Sequence, residues 1–190
     1  MPGARFHGDG FQTMIASLTA PDSAISVVVN ASTGHRMWLY EINMGNVGTP
    51  ADLVSIYYIG QVTADGAGTT LVPTMIEDGA DQASKTVSLS NHSTEPTYVA
   101  TIAGTGVTTP ADGDLLRVPL NHRATYRWVA PPSGEFVAPA TSGRGWAGVA
   151  AHASATTDYM IGFHWIELHS FKCKRRVCFN HRSLCPGVGV

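Results

Sequence analysis

Residues 115–146 read Leu-Leu-Arg-Val-Pro-Leu-Asn-His-Arg-Ala-Thr-Tyr-Arg-Trp-Val-Ala-Pro-Pro-Ser-Gly-Glu-Phe-Val-Ala-Pro-Ala-Thr-Ser-Gly-Arg-Gly-Trp. This stretch holds four of the nine arginines and two of the four tryptophans in the chain. Two apolar runs flank Pro131-Pro132-Ser133-Gly134, a sequence that favours a turn. Within 124–130 the residues alternate, with Ala124, Tyr126 and Trp128 on one face and Arg127 on the other. Alternation of this kind marks a half-buried strand. The stretch predicts two adjacent strands and the turn between them, aromatics inward and arginines outward.

The same rhythm extends in both directions. Residues 158–168, Asp-Tyr-Met-Ile-Gly-Phe-His-Trp-Ile-Glu-Leu, place Tyr159, Ile161, Phe163 and Trp165 on one apolar face. Residues 36–44 alternate Trp38, Tyr40, Ile42 and Met44 against Met37, Leu39, Glu41 and Asn43. The β-branched run 25–30 and the segments 53–63, 97–103 and 115–120 add further strands. Pro73 marks an edge or bend in 71–77, and 65–70 reads as a Gly-rich turn. Residues 78–91 are the one place for a helix, although 86–89 looks extended. The small residues of 145–153 suit a place where another backbone comes close. About eight to ten short strands with Gly/Pro turns predict an all-β chain, a jelly roll or β-sandwich. Its expected parts are an N-terminal arm at 1–22, a sandwich domain at 23–169 and a basic, Cys-containing tail at 170–190.

Composition narrows the function classes. A chain of 190 residues with 44% apolar residues can bury a core as one domain. Only 14% of residues are charged, well under the usual quarter. Residues 1–170 carry seven bases and fourteen acids, whereas the last twenty carry five bases and no acid. An acidic body argues against a nucleic-acid-binding surface, which needs clustered Lys and Arg. No run approaches the ~18 apolar residues of a membrane span. The first residues lack the apolar core of a secretory leader, so the expectation is a cytosolic product. All three cysteines lie in the tail, leaving the body without a disulfide.

Catalytic signatures are absent from the sequence: it has no phosphate-cradling Gly-rich loop with Lys, no His-Glu-x-x-His and no Gly-x-Ser-x-Gly. His7-Gly8-Asp9-Gly10 reads as turn chemistry near a chain end. Asp112-Gly113-Asp114 offers too few carboxylates for calcium. Glu135, Asp158 and Glu167 are not placed together by any pattern. Cys173, Cys178, His181 and Cys185 are three thiols and an imidazole, a complete but unusually spaced zinc set. The spacing is not that of an established zinc knuckle, so a disordered, reduced tail is the favoured reading and no metal or cofactor is expected.

Arg117, Arg123 and Arg127 stand six and four residues apart, which in one extended run would put them on one face. Arginines so placed suit carboxylates of a neighbouring subunit, or pair within the acidic body. Arg117, Arg123, Arg127, Arg36 and Glu135 are the candidate subunit contacts.

The run 119–131 (Pro-Leu-Asn-His-Arg-Ala-Thr-Tyr-Arg-Trp-Val-Ala-Pro), with Gly134-Glu135-Phe136-Val137 and Pro139-Ala140-Thr141, resembles a family of tailed-phage virion proteins. The strand 36–41, Thr49-Pro50-Ala51-Asp52, Val72-Pro73 and Trp165-Ile166-Glu167 are similar to the same family, so the resemblance covers about 20–168. It is to the cement or decoration proteins of cyanophage-like heads. The resemblance implies a jelly-roll body, a homotrimer and a non-enzymatic clamp on neighbouring major capsid protein subunits. It also implies a place on the capsid surface, after synthesis in the bacterial host cytoplasm. The residues after 168 depart from that pattern, so the tail cysteines inherit no role. A receptor- or glycan-binding module of a tail fibre or spike is the other reading, with Trp38 or Trp146 expected in an exposed aromatic groove. A jelly-roll lyase or hydrolase ranks third, because no strand supplies a clustered acid or His site.

Overall fold

The computed structural model describes residues 4–14, 25–31, 35–48, 52–76, 84, 86–94, 97–98, 114–152 and 157–167. The zinc set Cys173, Cys178, His181 and Cys185 and the rest of the 170–190 tail lie outside these. Among the described residues every regular element is a strand. They are β1 (Ala4–Met14), β2 (Ser26–Asn30), β3 (Met37–Asn46), β4 (Val54–Ala64), β5 (Ala67–Leu71), β6 (Thr74–Met75) and β7 (Thr86–Thr94). β8 (Thr97–Tyr98), β9 (Asp114–Asn121), β10 (Thr125–Val129), β11 (Phe136–Ala138), β12 (Gly145–Ala151) and β13 (Thr157–Glu167) complete the order.

The strands form two antiparallel sheets, as the alternation predicts. The first runs β10–β3–β13–β1–β6, with β11 also on β3; the second runs β5–β7–β2–β12–β4–β8, with β9 also on β4. A simple pairing rule underlies both. β1 pairs with β13, β2 with β12, β3 with β10 and β11, and β4 with β9. These are the rungs of one long antiparallel ribbon, and successive rungs fall alternately into the two sheets. The ribbon closes on itself where β13 pairs β3 and β12 pairs β4. Strands β5 to β8 widen the edges.

The core lies between the sheets. Tyr159, Ile161, Phe163 and Trp165 of β13 are fully buried, as their phase requires. Tyr57 of β4 meets Tyr159 edge-on at 5.7 Å between ring centroids, and Phe6 of β1 lies 6.1 Å from Trp165. All seven residues of β12 are buried. Their small size has a consequence at Gly148, where a Cβ would press on Ile161 of the facing sheet at 2.9 Å.

Several expectations need correction. Residues 4–14 are not an arm: β1 pairs along all eleven of its residues with β13 and buries Phe6. Phe6, Gly8 and Gly10 alternate inward there, and the glycines hide the pattern from a hydrophobicity count. Residues 67–70 of the expected turn belong to a strand, β5. In 78–91, residues 86–91 are strand, and most of the remainder lies outside the described residues. In β3 the strict alternation fails, because Met37 and Leu39 and then Ile42 and Met44 are all buried. The cause is a bulge: Trp165 pairs Leu39 but His164 pairs Glu41, which skips Tyr40 and flips the parity.

The same bulge reshapes the Pro-Pro-Ser-Gly segment. β10 and β11 do not form a hairpin. They lie end to end along β3, β10 on Glu41–Gly45 and β11 on Met37–Leu39. The segment between them leaves the sheet as a tight turn, in which the Gly134 amide donates to the Pro131 carbonyl at 2.8 Å and Ser133 takes φ 62°. A Pro followed by a residue with positive φ is the type II arrangement.

Candidate functional site

The outward face of the first sheet gathers the titratable side chains. Because Phe6 points inward, His7, Asp9 and Phe11 point out. Register then sets His7 beside His164 of β13, and His164 beside Glu41 of β3. The next row runs Asp9, Gly162, Asn43, Arg127.

The contacts link these two rows. The His7 and His164 rings are 4.9 Å apart, and His7 Nε2 is 2.8 Å from Asp9 Oδ2. Asn43 Nδ2 lies 3.3 Å from His164 Nε2 and donates to Glu41 Oε1 at 3.3 Å. Arg127 donates through Nε and Nη2 to the two Glu41 oxygens at 2.8 and 2.7 Å. Gly162 is part of the design, since a Cβ there would strike the Asp9 carboxylate.

The bidentate Arg127 pair holds the Glu41 carboxyl below the usual carboxylate range, against the opposing effect of burial. Burial pushes the His164 imidazole down, Glu41 pulls it up and His7 pushes it down again. Apolar side chains flank the rows. On one side Ile166, Trp38 and Val137 are in register, with Val137 exposed and the other two half-buried. On the other side Phe11, 45% exposed, stands beside Met160. Such a surface can dock a partner by apolar contact around a hydrogen-bonding, ion-paired centre.

A second polar group is sealed inside. Ser55 Oγ of β4 lies 2.6 Å from His122 Nε2 and 2.7 Å from the Tyr159 hydroxyl of β13. Tyr159 Oη is 3.3 Å from the same His122 nitrogen. The His122 ring meets His152 at 5.2 Å, edge to face. His122 sits at the corner where the chain leaves β9 in the second sheet for β10 in the first. There its amide donates to the Leu53 carbonyl at 3.0 Å, and the Ala124 amide donates to the Asn121 carbonyl at 2.9 Å. A serine against an imidazole is a nucleophile–base geometry, but Ser55 and Tyr159 are fully buried and His122 nearly so.

The predicted contact residues do not form one face. Arg117 lies in the second sheet, opposite Tyr58, with its guanidinium 4.7 Å from that ring centroid. Arg127 lies in the first sheet and is paired within the chain to Glu41. Arg123 is in the corner turn, its amide donating to Asn121 Oδ1 at 2.9 Å. The corner breaks the even spacing that placed all three together. Arg36 is exposed just before β3, and Glu135 is half-buried beside β11. Glu135, Asp158 and Glu167 stay apart as acids: Asp158 and Glu167 lie near opposite ends of β13, and Glu167 is buried, accepting from Trp165 Nε1 at 3.0 Å. Trp146 is fully buried and lines no exposed groove. The sequence holds one signal for the His7, Asp9 and His164 group, the inward Phe6-x-Gly8-x-Gly10 phase of β1. Ser55, His122 and Tyr159 are brought together by tertiary folding alone.

Among the described residues no three His, Cys, Asp or Glu side chains are placed to hold a metal, and no helix is long and apolar enough to cross a membrane. No family model, no curated protein and no solved structure matches the chain.

Proposed function

We propose that the chain is a non-enzymatic structural protein of a phage virion. It is a jelly-roll decoration or cement protein that trimerises and clamps neighbouring major capsid protein subunits on the outside of the head. The order of the ribbon supports the jelly-roll reading: β1–β13–β3–β10/β11 faces β2–β12–β4–β9, with the first and last strands adjacent. The observation that carries the functional reading is the outer face of the first sheet. There an ion-paired row flanked by Trp38, Ile166 and Val137 offers a broad contact surface. The resemblance in 119–141 supplies the partner, and the sparse charge of the body suits a self-associating component. The glycan- or receptor-binding alternative now rests on Trp38, since Trp146 is buried.

Light scattering on the purified chain tests the reading. A trimer has a mass of about 60 kDa, three chains of 20.1 kDa each. A monomer at micromolar concentration that gives a glycan-array signal favours the alternative and contradicts the clamp.

A further inference from the structure

We propose that the buried Ser55–His122–Tyr159–His152 group is an acid-sensitive clasp, which holds the two sheets together at the β9–β10 corner near neutral pH and loosens that corner as pH falls. This inference is independent of the capsid reading.

The geometry carries it. Ser55 belongs to the second sheet and Tyr159 to the first, so their hydroxyl contact at 2.7 Å joins the sheets. His122 completes the contact from the corner itself, at 2.6 Å from Ser55 and 3.3 Å from Tyr159. Its other ring nitrogen, Nδ1, is buried without a hydrogen-bond partner among the described residues. The groups that face the ring are Ser55 from β4, Tyr159 from β13 and His152 beyond β12. Tyr57 stands behind Tyr159. On either side of the ring in the chain, Asn121 donates through Nδ2 to Asp52 Oδ1 at 3.0 Å and Arg123 is exposed.

The imidazolium carries an N–H on both ring nitrogens, so Nδ1–H has no acceptor and a positive charge stands beside a second imidazole, both costly in a buried site. Burial, and then His152, accordingly push the His122 imidazole below its ordinary value. The sign follows from linkage. The unfolded chain binds this proton more readily, so the stabilisation is complete above the unfolded value of about 6.5 and is lost as pH falls below it.

The test combines a local and a global readout on the full chain. Proton NMR should show the His122 ring titrating below free histidine, with a midpoint that rises in H152Q. The exchange rate of the His122 amide, corrected for intrinsic chemistry, should increase several-fold from pH 7.5 to 5.5, more than that of the Phe163 amide in the sheet centre. The urea midpoint of the wild type should fall by roughly half a molar over the same range, and H122Q should fall less. If H122Q does not fold, H152Q and wild type still decide the matter. An ordinary His122 titration, or corner exchange that tracks the sheet centre, overturns the proposal.

Discussion

Phe6 and Phe11 sit five residues apart on β1, and the register sends them to opposite faces. Phe6 is 1% exposed and packs on Trp165, whereas Phe11 is 45% exposed. Replacing Phe6 with Ala removes a ring wedged between the sheets and leaves a cavity, which costs about 3–5 kcal/mol. Total stabilities are about 5–15 kcal/mol, so this is a large share. At about 2–4 °C per kcal/mol for a chain of this size, the melting temperature should fall by roughly 6–20 °C. Phe11→Ala removes a partly solvated ring and should cost under about 1 kcal/mol. Urea and thermal unfolding followed by circular dichroism measure both. If neither variant changes stability, residues 4–14 are an arm and the ribbon lacks its first rung. If Phe11→Ala is the costly variant and Phe6→Ala the mild one, the strand is out of register by one residue.

Three further outcomes follow from the contacts. In a double-mutant cycle, Ser55→Ala and Tyr159→Phe should show a coupling energy of roughly 1 kcal/mol in urea unfolding; additive effects would mean the hydroxyls do not meet. Glu41 titrates below its ordinary value because of Arg127, so its contribution to stability is present above the unfolded value and is lost as pH falls through the folded one. Carboxyl NMR should show its midpoint rising in Arg127→Ala, and an unchanged midpoint would remove Arg127 as the cause. Ser133 holds φ 62°, a left-handed conformation costly for a residue with a Cβ, so Ser133→Gly should raise stability by about 0.5–1 kcal/mol; a loss would argue against that turn.

Fold class was legible because alternation survives in the strands with large side chains. The β13 face Tyr159, Ile161, Phe163, Trp165 needed no correction. Legibility failed where the inward side chain is glycine, as in β1, and where a bulge flips parity, as at Tyr40. Spacing also misled once a corner intervened. Arg117 and Arg127 share an even interval, yet the turn at His122-Arg123 sends them to different sheets. The contact face was legible only through Arg127 and Trp38, because its other members come from strands 4–14, 37–46, 136–138 and 157–167, distant in sequence and joined only by register. The Ser55–His122–Tyr159 group had no sequence signal at all, since each residue comes from a different element and none lies in a motif.

The central claim concerns attachment to a capsid, and co-sedimentation of the purified chain with phage heads stripped of decoration tests it most directly. The clamp account predicts saturable pelleting, in multiples of three copies per site, weakened when Arg127 and Val137 on the outer face of the first sheet are both replaced with Ala. A chain that stays in the supernatant at every concentration contradicts it.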